Sequence, residues 1–311
     1  MKPVVVAVVG PTAVGKTSLS VEIGRNFSGE VISGDSMQIY RGMDIGTAKI
    51  TKEETKGVPH HMIDIKQPGE TFSVAEFQQK VADYVREITE RNHLPIIAGG
   101  TGLYIQAALN GYIFADEKRD DTFHAKLEKD INQYGIDSFY AKLQRVDPEQ
   151  AEKIHPNNKR RVIRALEVYE KTGKTMSEYQ AGQKGDSPYR PIIIGLEMER
   201  DLLYQRINER VDVMIETGLV EEVKNLYNRG FANSQSMKAI GYKEIIPYLK
   251  GEMTLDEAVD LLKRNSRRFA KRQLTWFKNK MDIHWYTIKT GQKEEQFEII
   301  LSELAGMLKK K

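Results

Sequence analysis

Every position from Val4 to Val9 is apolar, and the run ends at Gly10. So short a stretch, rich in β-branched side chains and closed by glycine, predicts a parallel strand buried on both faces. A helix is expected from about Lys16 to Asn26, then a second strand over Glu30-Val31-Ile32-Ser33 and a third over Met62-Ile63-Asp64-Ile65. Val74, Phe77, Val81, Val85 and Ile88 recur at helical spacing, with Ser73 placed as the N-cap of a helix reaching Arg91. Leu94 to Ala98 is the next apolar run, closed by Gly99-Gly100-Thr101-Gly102. Strand, loop and helix in alternation predict an α/β protein whose parallel sheet is flanked by helices.

Between 116 and 185 the sequence turns polar and helix-forming, without a strand-like run, so a helical insertion domain is expected there. It divides a core domain into 1–115 and 186–311. Arg190 to Leu196 resumes the sheet, helical sequence runs from Arg200 to Lys280, and a short strand at His284-Trp285-Tyr286 precedes a terminal helix.

Composition narrows the chemistry. The 311 residues include no cysteine, which excludes disulfides, a thiol nucleophile and cysteine-based zinc modules. No apolar run approaches the ~18 residues of a membrane span, and the N-terminal run leads into a glycine-rich loop instead of a cleavage site. A cytoplasmic protein without a membrane association is expected. His60, His61, His124 and His155 are too scattered for a ligand set, so no zinc site is expected. The net charge is only +3, but Lys263 to Lys280 holds eight basic residues and no Asp or Glu. That segment should attract anions. Within it Arg264, Arg268 and Arg272 are spaced to line one side of a helix, with Arg267 and Lys271 beside them. Phe269 and Trp276, seven apart, read as core anchors.

Gly10-Pro11-Thr12-Ala13-Val14-Gly15-Lys16-Thr17 meets G-x-x-x-x-G-K-[ST] at every fixed position, directly after a predicted strand and before a predicted helix. The glycines let the backbone wrap a phosphate group, the helix N-terminus and Lys16 supply positive charge, and the Thr17 hydroxyl suits Mg²⁺. The expected fold is therefore P-loop NTPase-like. The loop specifies a diphosphate-bearing ligand and nothing finer: a nucleotide kinase, an ATPase and a prenyl-diphosphate enzyme need the same cradle. Asp35 follows the second strand, at the sheet edge where open α/β folds bind ligands. Turn capping, metal binding and proton transfer all remain open for it on position alone.

The P-loop occurs together with Asp35-Ser36, Gly42-Met43-Asp44-Ile45-Gly46-Thr47-Ala48-Lys49, Pro59-His60-His61, Gly99-Gly100-Thr101, His155-Pro156-Asn157, Arg164-Ala165-Leu166-Glu167-Val168, Gly241-Tyr242 and Lys271-Arg272-Gln273-Leu274-Thr275-Trp276. With these motifs the chain resembles the tRNA dimethylallyltransferase family over nearly its whole length, in the bacterial form without a C-terminal zinc finger. The resemblance implies transfer of dimethylallyl from its diphosphate to N6 of the adenine at tRNA position 37, just 3′ of the anticodon. It implies Asp35 as general base and Lys16, Arg210 and the loop Gly10–Thr17 as diphosphate ligands. Mg²⁺ is expected at Thr17, and Thr101 beside the oxygen that bridges prenyl carbon and phosphorus.

On the RNA side the resemblance implies an adenine flipped into a channel, touched by Ser36, Met37 and Gln38, with Gln38 suited to an adenine edge. Lys159, Arg160, Arg161 and Arg164, then Lys238, Gly241, Tyr242 and Lys243, and Arg268 with Arg272 are the expected contacts to the anticodon stem-loop. No obligate protein partner is expected. The competing readings are a P-loop nucleoside or small-molecule kinase, an adenylate prenyltransferase acting on the free nucleotide, and a non-catalytic RNA-binding protein with a dead P-loop.

Overall fold

The computed structural model of the chain describes residues 2–112, 114, 121–182 and 187–310. The expected domain boundaries at 116 and 185, and the His124 side chain, lie outside the described residues. Two compact units emerge, Met1–Leu109 with Ser187–Lys311, and Asn110–Asp186.

In the first unit the strands β1 (Val4–Val9), β2 (Gly29–Ser33), β3 (His60–His61), β4 (Leu94–Gly99), β5 (Arg190–Glu197) and β6 (His284–Thr287) form one sheet in the order β3-β2-β4-β1-β5-β6. Every pairing is parallel. Val5, Ala7 and Val9 of β1 pack in one core layer, Val6 and Val8 in the other, so alternate side chains fill both faces, as the uninterrupted apolar run requires. After β1 the chain builds β2, β3 and β4 on one side and then crosses to β5 and β6 on the other. The carboxyl end of β1 is thus a topological switch point, where such sheets open a ligand crevice.

The helices of this unit are α1 (Lys16–Asn26), α2 (Val74–Glu90) and α3 (Gly102–Asn110) before the second unit. That unit carries α4 (Asp121–Tyr134), α5 (Asp137–Val146), α6 (Pro148–Lys153), α7 (Lys159–Thr172) and α8 (Met176–Ala181), which close on their own core around Leu143, Ile154, Val162 and Leu166. The chain then returns with α9 (Arg200–Glu216), α10 (Leu219–Leu226), α11 (Tyr242–Leu249), α12 (Leu255–Lys280) and α13 (Lys293–Lys309). Ser73 caps α2 as expected, its hydroxyl accepting the Glu76 N–H at 3.1 Å.

One element differs. The strand expected over Met62 to Ile65 is displaced to His60–His61, because Met62 and Asp64 take positive φ (64° and 54°), which extended backbone does not allow. Met62 is buried in a turn instead of a strand, with Ile63 and Ile65 half-buried beside it. Among the described residues no helix is long and apolar enough to cross a membrane.

Candidate active site

Three strand ends converge above the sheet. β1 delivers the loop Gly10–Gly15, its neighbour β4 delivers Gly99-Gly100-Thr101, and β2, beside β4, delivers Gly34 and Asp35. Gly10 has φ +144°, and a Cβ there would stand 2.4 Å from the Leu196 carbonyl oxygen, so only glycine lets the loop leave β1 beside β5. Thr12, Lys16, Thr17, Asp35, Gln38, Gly100, Arg210, Phe269 and Gln273 all line one cavity of about 1170 Å³. Its lining is mixed, polar groups standing with the apolar Ile45, Val213, Met214 and Phe269.

Lys16 donates to the Pro11 carbonyl at 2.6 Å, the position of a P-loop lysine folded back on its own loop. Desolvation in the cavity, aided by the Arg210 charge and only partly opposed by Asp35, lowers its pKa to about 7. Arg210, on α9, reaches Thr12 Oγ1 at 3.5 Å. It meets solvent at the cavity mouth, yet protein crowds its guanidinium enough to hold its pKa below the usual value through desolvation. An arginine so placed remains charged.

Asp35 is shifted the other way. Desolvation raises its carboxyl, against the Met37 N–H, which donates to Oδ1 at 2.8 Å, and against the Lys16 charge. A carboxylate so held is a stronger base than one in water. Thr101 sits beside it: the Ser36 N–H donates to Thr101 Oγ1 at 3.2 Å, and the two hydroxyls are 3.5 Å apart. The P-loop, Asp35, Gln38 and Arg210 therefore share the cavity, while Ser36 and Thr101 adjoin it through Asp35. Gln38 is less free than its position in the chain implies. Its Nε2 donates to the carbonyls of Thr47 and Ala48 (3.2 and 3.3 Å), and its Oε1 takes the Ser33 hydroxyl at 2.9 Å. Only the second lone pair of its oxygen is left for a ligand.

The remaining basic and aromatic candidates divide by exposure. Lys159, Arg160 and Arg161 are exposed on α7, Arg164 is drawn onto the buried Glu167 at 3.0 Å, and Lys238 and Lys243 are exposed either side of Gly241. Tyr242 is fully buried, with its hydroxyl donating to Glu222 at 2.5 Å, so its ring offers no face for a base to stack on. Burial and the Glu222 carboxylate push that hydroxyl above its ordinary range. On α12 the basic run is thinner than its sequence. Lys263 is paired with Asp212 and Lys278 with Glu197, both at 2.6 Å, and Arg267 donates to Asn208. Arg264, Arg268, Lys271 and Arg272 are exposed, and among the described residues no carboxylate pairs with them. Phe269 lies against Arg272 and lines the cavity, where a core position was expected; Trp276 does pack against the core.

Two functional supports are not singled out by sequence reasoning, Glu222 outside every motif and Gln273 inside one without a role. Glu222 accepts the N–H groups of Asp44 and Ile45 at 2.8 Å and of Gly46 at 3.1 Å, besides the Tyr242 hydroxyl, and so pins the loop that holds Gln38. Gln273 is buried and joins the P-loop to the β4 turn: the Thr12 N–H donates to its Oε1 at 2.9 Å, and its Nε2 donates to the Gly100 carbonyl at 3.0 Å.

A parallel sheet with a P-loop at its switch point, and a half-buried, desolvated carboxylate lining the same cavity, defines a protein built to hold a phosphate-bearing donor against a second, proton-yielding substrate. Comparison with known proteins makes this specific. The chain belongs to the IPP transferase family, whose model matches residues 38–280. It is 56% identical over 311 residues to the tRNA dimethylallyltransferase of Oceanobacillus iheyensis, covering 100% of this chain and 99% of that protein. Among solved structures it is similar to the full-length tRNA isopentenylpyrophosphate transferase of Bacillus halodurans (51% identity, TM-score 0.74, covering 99% and 97% of the two chains). A eukaryotic dimethylallyltransferase acting on tRNA matches at 29% identity with TM-score 0.86, covering 98% of this chain and 79% of its own.

Proposed function

We propose that this chain is a tRNA dimethylallyltransferase, moving the prenyl group of dimethylallyl diphosphate to N6 of the adenine at position 37, next to the anticodon. The observation that carries the reading is the shared cavity, lined both by the P-loop and by the half-buried, desolvated Asp35 carboxylate.

The reaction asks two things of these residues. Diphosphate must leave an allylic carbon on which positive charge grows, so the departing anion has to be stabilised. The amide groups of the loop after Thr12, Lys16 released from the Pro11 carbonyl, and Arg210 at the mouth form that cradle; the Thr12 N–H is already taken by Gln273. The exposed Thr17 lines the same cavity, and its hydroxyl, together with the donor's own phosphate oxygens, is the hard-oxygen set that Mg²⁺ prefers. When bound, Mg²⁺ supplies charge neutralisation of the leaving diphosphate.

The adenine amine is the second demand. Its lone pair is delocalised into the purine, and its protons become acidic only as the bond to carbon forms. Asp35 accepts one of them: the N6–carbon bond forms, the carbon–oxygen bond breaks with its electron pair going to diphosphate, and the proton passes to the carboxylate. The apolar side chains of the cavity lining, Ile45, Met214 and Phe269, receive the prenyl chain.

A base stacked in a loop cannot reach this depth, so the nucleotide is flipped out and enters beside Ser36, Met37 and Thr101. In the first unit the exposed Arg264, Arg268, Lys271 and Arg272, with Lys238 and Lys243, hold the backbone of the anticodon stem-loop; in the second unit the exposed Lys159, Arg160 and Arg161 are a separate set suited to RNA phosphates. The reaction belongs to the cytoplasm, where unmodified tRNA is found. The test is prenyl transfer from labelled dimethylallyl diphosphate, with Mg²⁺, to unmodified tRNA and in parallel to AMP. Label in tRNA alone is expected; label in AMP moves the assignment to a free-nucleotide prenyltransferase, and label in neither reopens the kinase reading.

A further inference from the structure

The glycines that follow β4 are shaped by α12. A Cβ on Gly100 would stand 2.1 Å from Gln273 Nε2, and one on Gly102 would stand 2.2 Å from Trp276 Cδ1. Gln273 and Trp276 are three apart on α12 and so share a face, and that face closes on the turn from both sides of Thr101. Gln273 does more than fill space. Its buried amide spends its oxygen on the P-loop and a nitrogen proton on the β4 turn, so one side chain ties the ends of two neighbouring strands. On the exposed surface of the same helix stand Arg264, Arg268, Lys271 and Arg272.

We infer that Gln273 is a positioning residue for prenyl transfer, fixing the P-loop and Thr101 in one register so that the bound diphosphate and the incoming amine meet in line. The inference rests on the proposed function, because it assigns the loop to diphosphate and Thr101 to the bridging oxygen. Gln273 touches neither substrate through the two bonds it makes; it acts on the backbone that carries the groups that do. Neither tie depends on the donor being bound. Losing both removes these partners from the half-buried Thr12 N–H and the buried Gly100 carbonyl, and the loop and turn are free to separate. The ground-state hold on diphosphate, which comes from several amides, Lys16 and Arg210, is spread over too many contacts to suffer equally. Alignment at the reacting atoms is not so buffered, and a misplacement of about 1 Å costs up to ~100-fold in rate.

The experiment uses the full chain with labelled dimethylallyl diphosphate and unmodified tRNA. Gln273→Met keeps the length and roughly the volume of the side chain and removes both bonds. Gln273→Glu keeps an acceptor for the Thr12 N–H and loses the donor to Gly100. Phe277→Leu, in the buried face of α12 one turn on, destabilises the helix packing without touching the loop or the turn. Thermal unfolding is measured for each, and kinetics are run where all are folded. The inference predicts kcat reduced about 10- to 100-fold in Gln273→Met, less in Gln273→Glu, with the donor KM of Gln273→Met within about threefold of the unaltered chain, and kcat of Phe277→Leu close to it. A wild-type kcat in Gln273→Met, or a kcat loss matched by Phe277→Leu at equal loss of thermal stability, overturns it. If the unaltered chain transfers no prenyl group to tRNA, the proposed function itself fails, and the inference with it.

Discussion

Lys16 gives donor binding a signed pH dependence. In the free protein its pKa is lowered to about 7, first by desolvation and then by Arg210. A bound diphosphate supplies the counter-charge that the empty cavity lacks, so the complex holds the Lys16 proton to much higher pH. Below pH 7 the lysine is already charged, and binding needs no proton. Above it, each complex formed must take up one, and affinity falls by about tenfold per pH unit until the pKa of the complex is reached, so roughly 100-fold between pH 7 and 9. Stability of the free protein runs the opposite way. Because the unfolded chain holds this proton up to about pH 10.5, the folded state gains on the unfolded one as pH rises from about 7 towards that value. The assay is titration calorimetry with a thiolo analogue of dimethylallyl diphosphate that does not react, at fixed ionic strength, in buffers of different ionisation enthalpy. Lys16→Arg is the control, since its guanidinium stays charged throughout and leaves only the ligand's own ionisation in the profile. Proton uptake near one per site above pH 8, absent in Lys16→Arg, is expected. Equal profiles for the two proteins, with no proton uptake, refute the reasoning.

Glu222→Ala removes the acceptor for three backbone N–H groups and the Tyr242 hydroxyl. It should destabilise by about 2–4 kcal/mol in denaturant unfolding, and a change below about 0.5 kcal/mol contradicts the role given to this clamp. Arg268→Ala and Arg272→Ala should each weaken tRNA binding and reduce the slope of log affinity against log salt by about 1, with little change in the donor KM. An unchanged salt slope removes α12 from the RNA surface.

The elements most legible in the sequence are those whose signal is local. The run Val4 to Val9, the P-loop and the capped helix from Val74 are each specified by residues within a turn or two of one another, and the structure has them as read. The strand beginning at His60 is not legible, because two bonded residues on the edge of a sheet carry no periodicity, while the apolar residues after them lie in a turn with positive φ that buries Met62. Charge misled for a related reason. The absence of acids within Lys263 to Lys280 says nothing of Asp212 and Glu197, which arrive from other elements and neutralise the two lysines. Tyr242 and Gln38 have the residue types of base-binding groups, but tertiary partners at Glu222, Ser33, Thr47 and Ala48 had first claim on their polar atoms. Gln273 stood inside a recognised motif, and only the fold shows that its amide faces two strand ends.

Asp35, lining the cavity with the P-loop, is the base that takes the N6 proton in the proposed reaction. The direct measurement is single-turnover prenyl transfer by Asp35→Ala at saturating labelled donor and unmodified tRNA, with tRNA affinity measured on the same preparation. With Asp35 as the base, the rate falls by at least about 100-fold while tRNA affinity stays within a few-fold of the unaltered chain. Equal losses of rate and affinity, or a rate left nearly intact, contradict it.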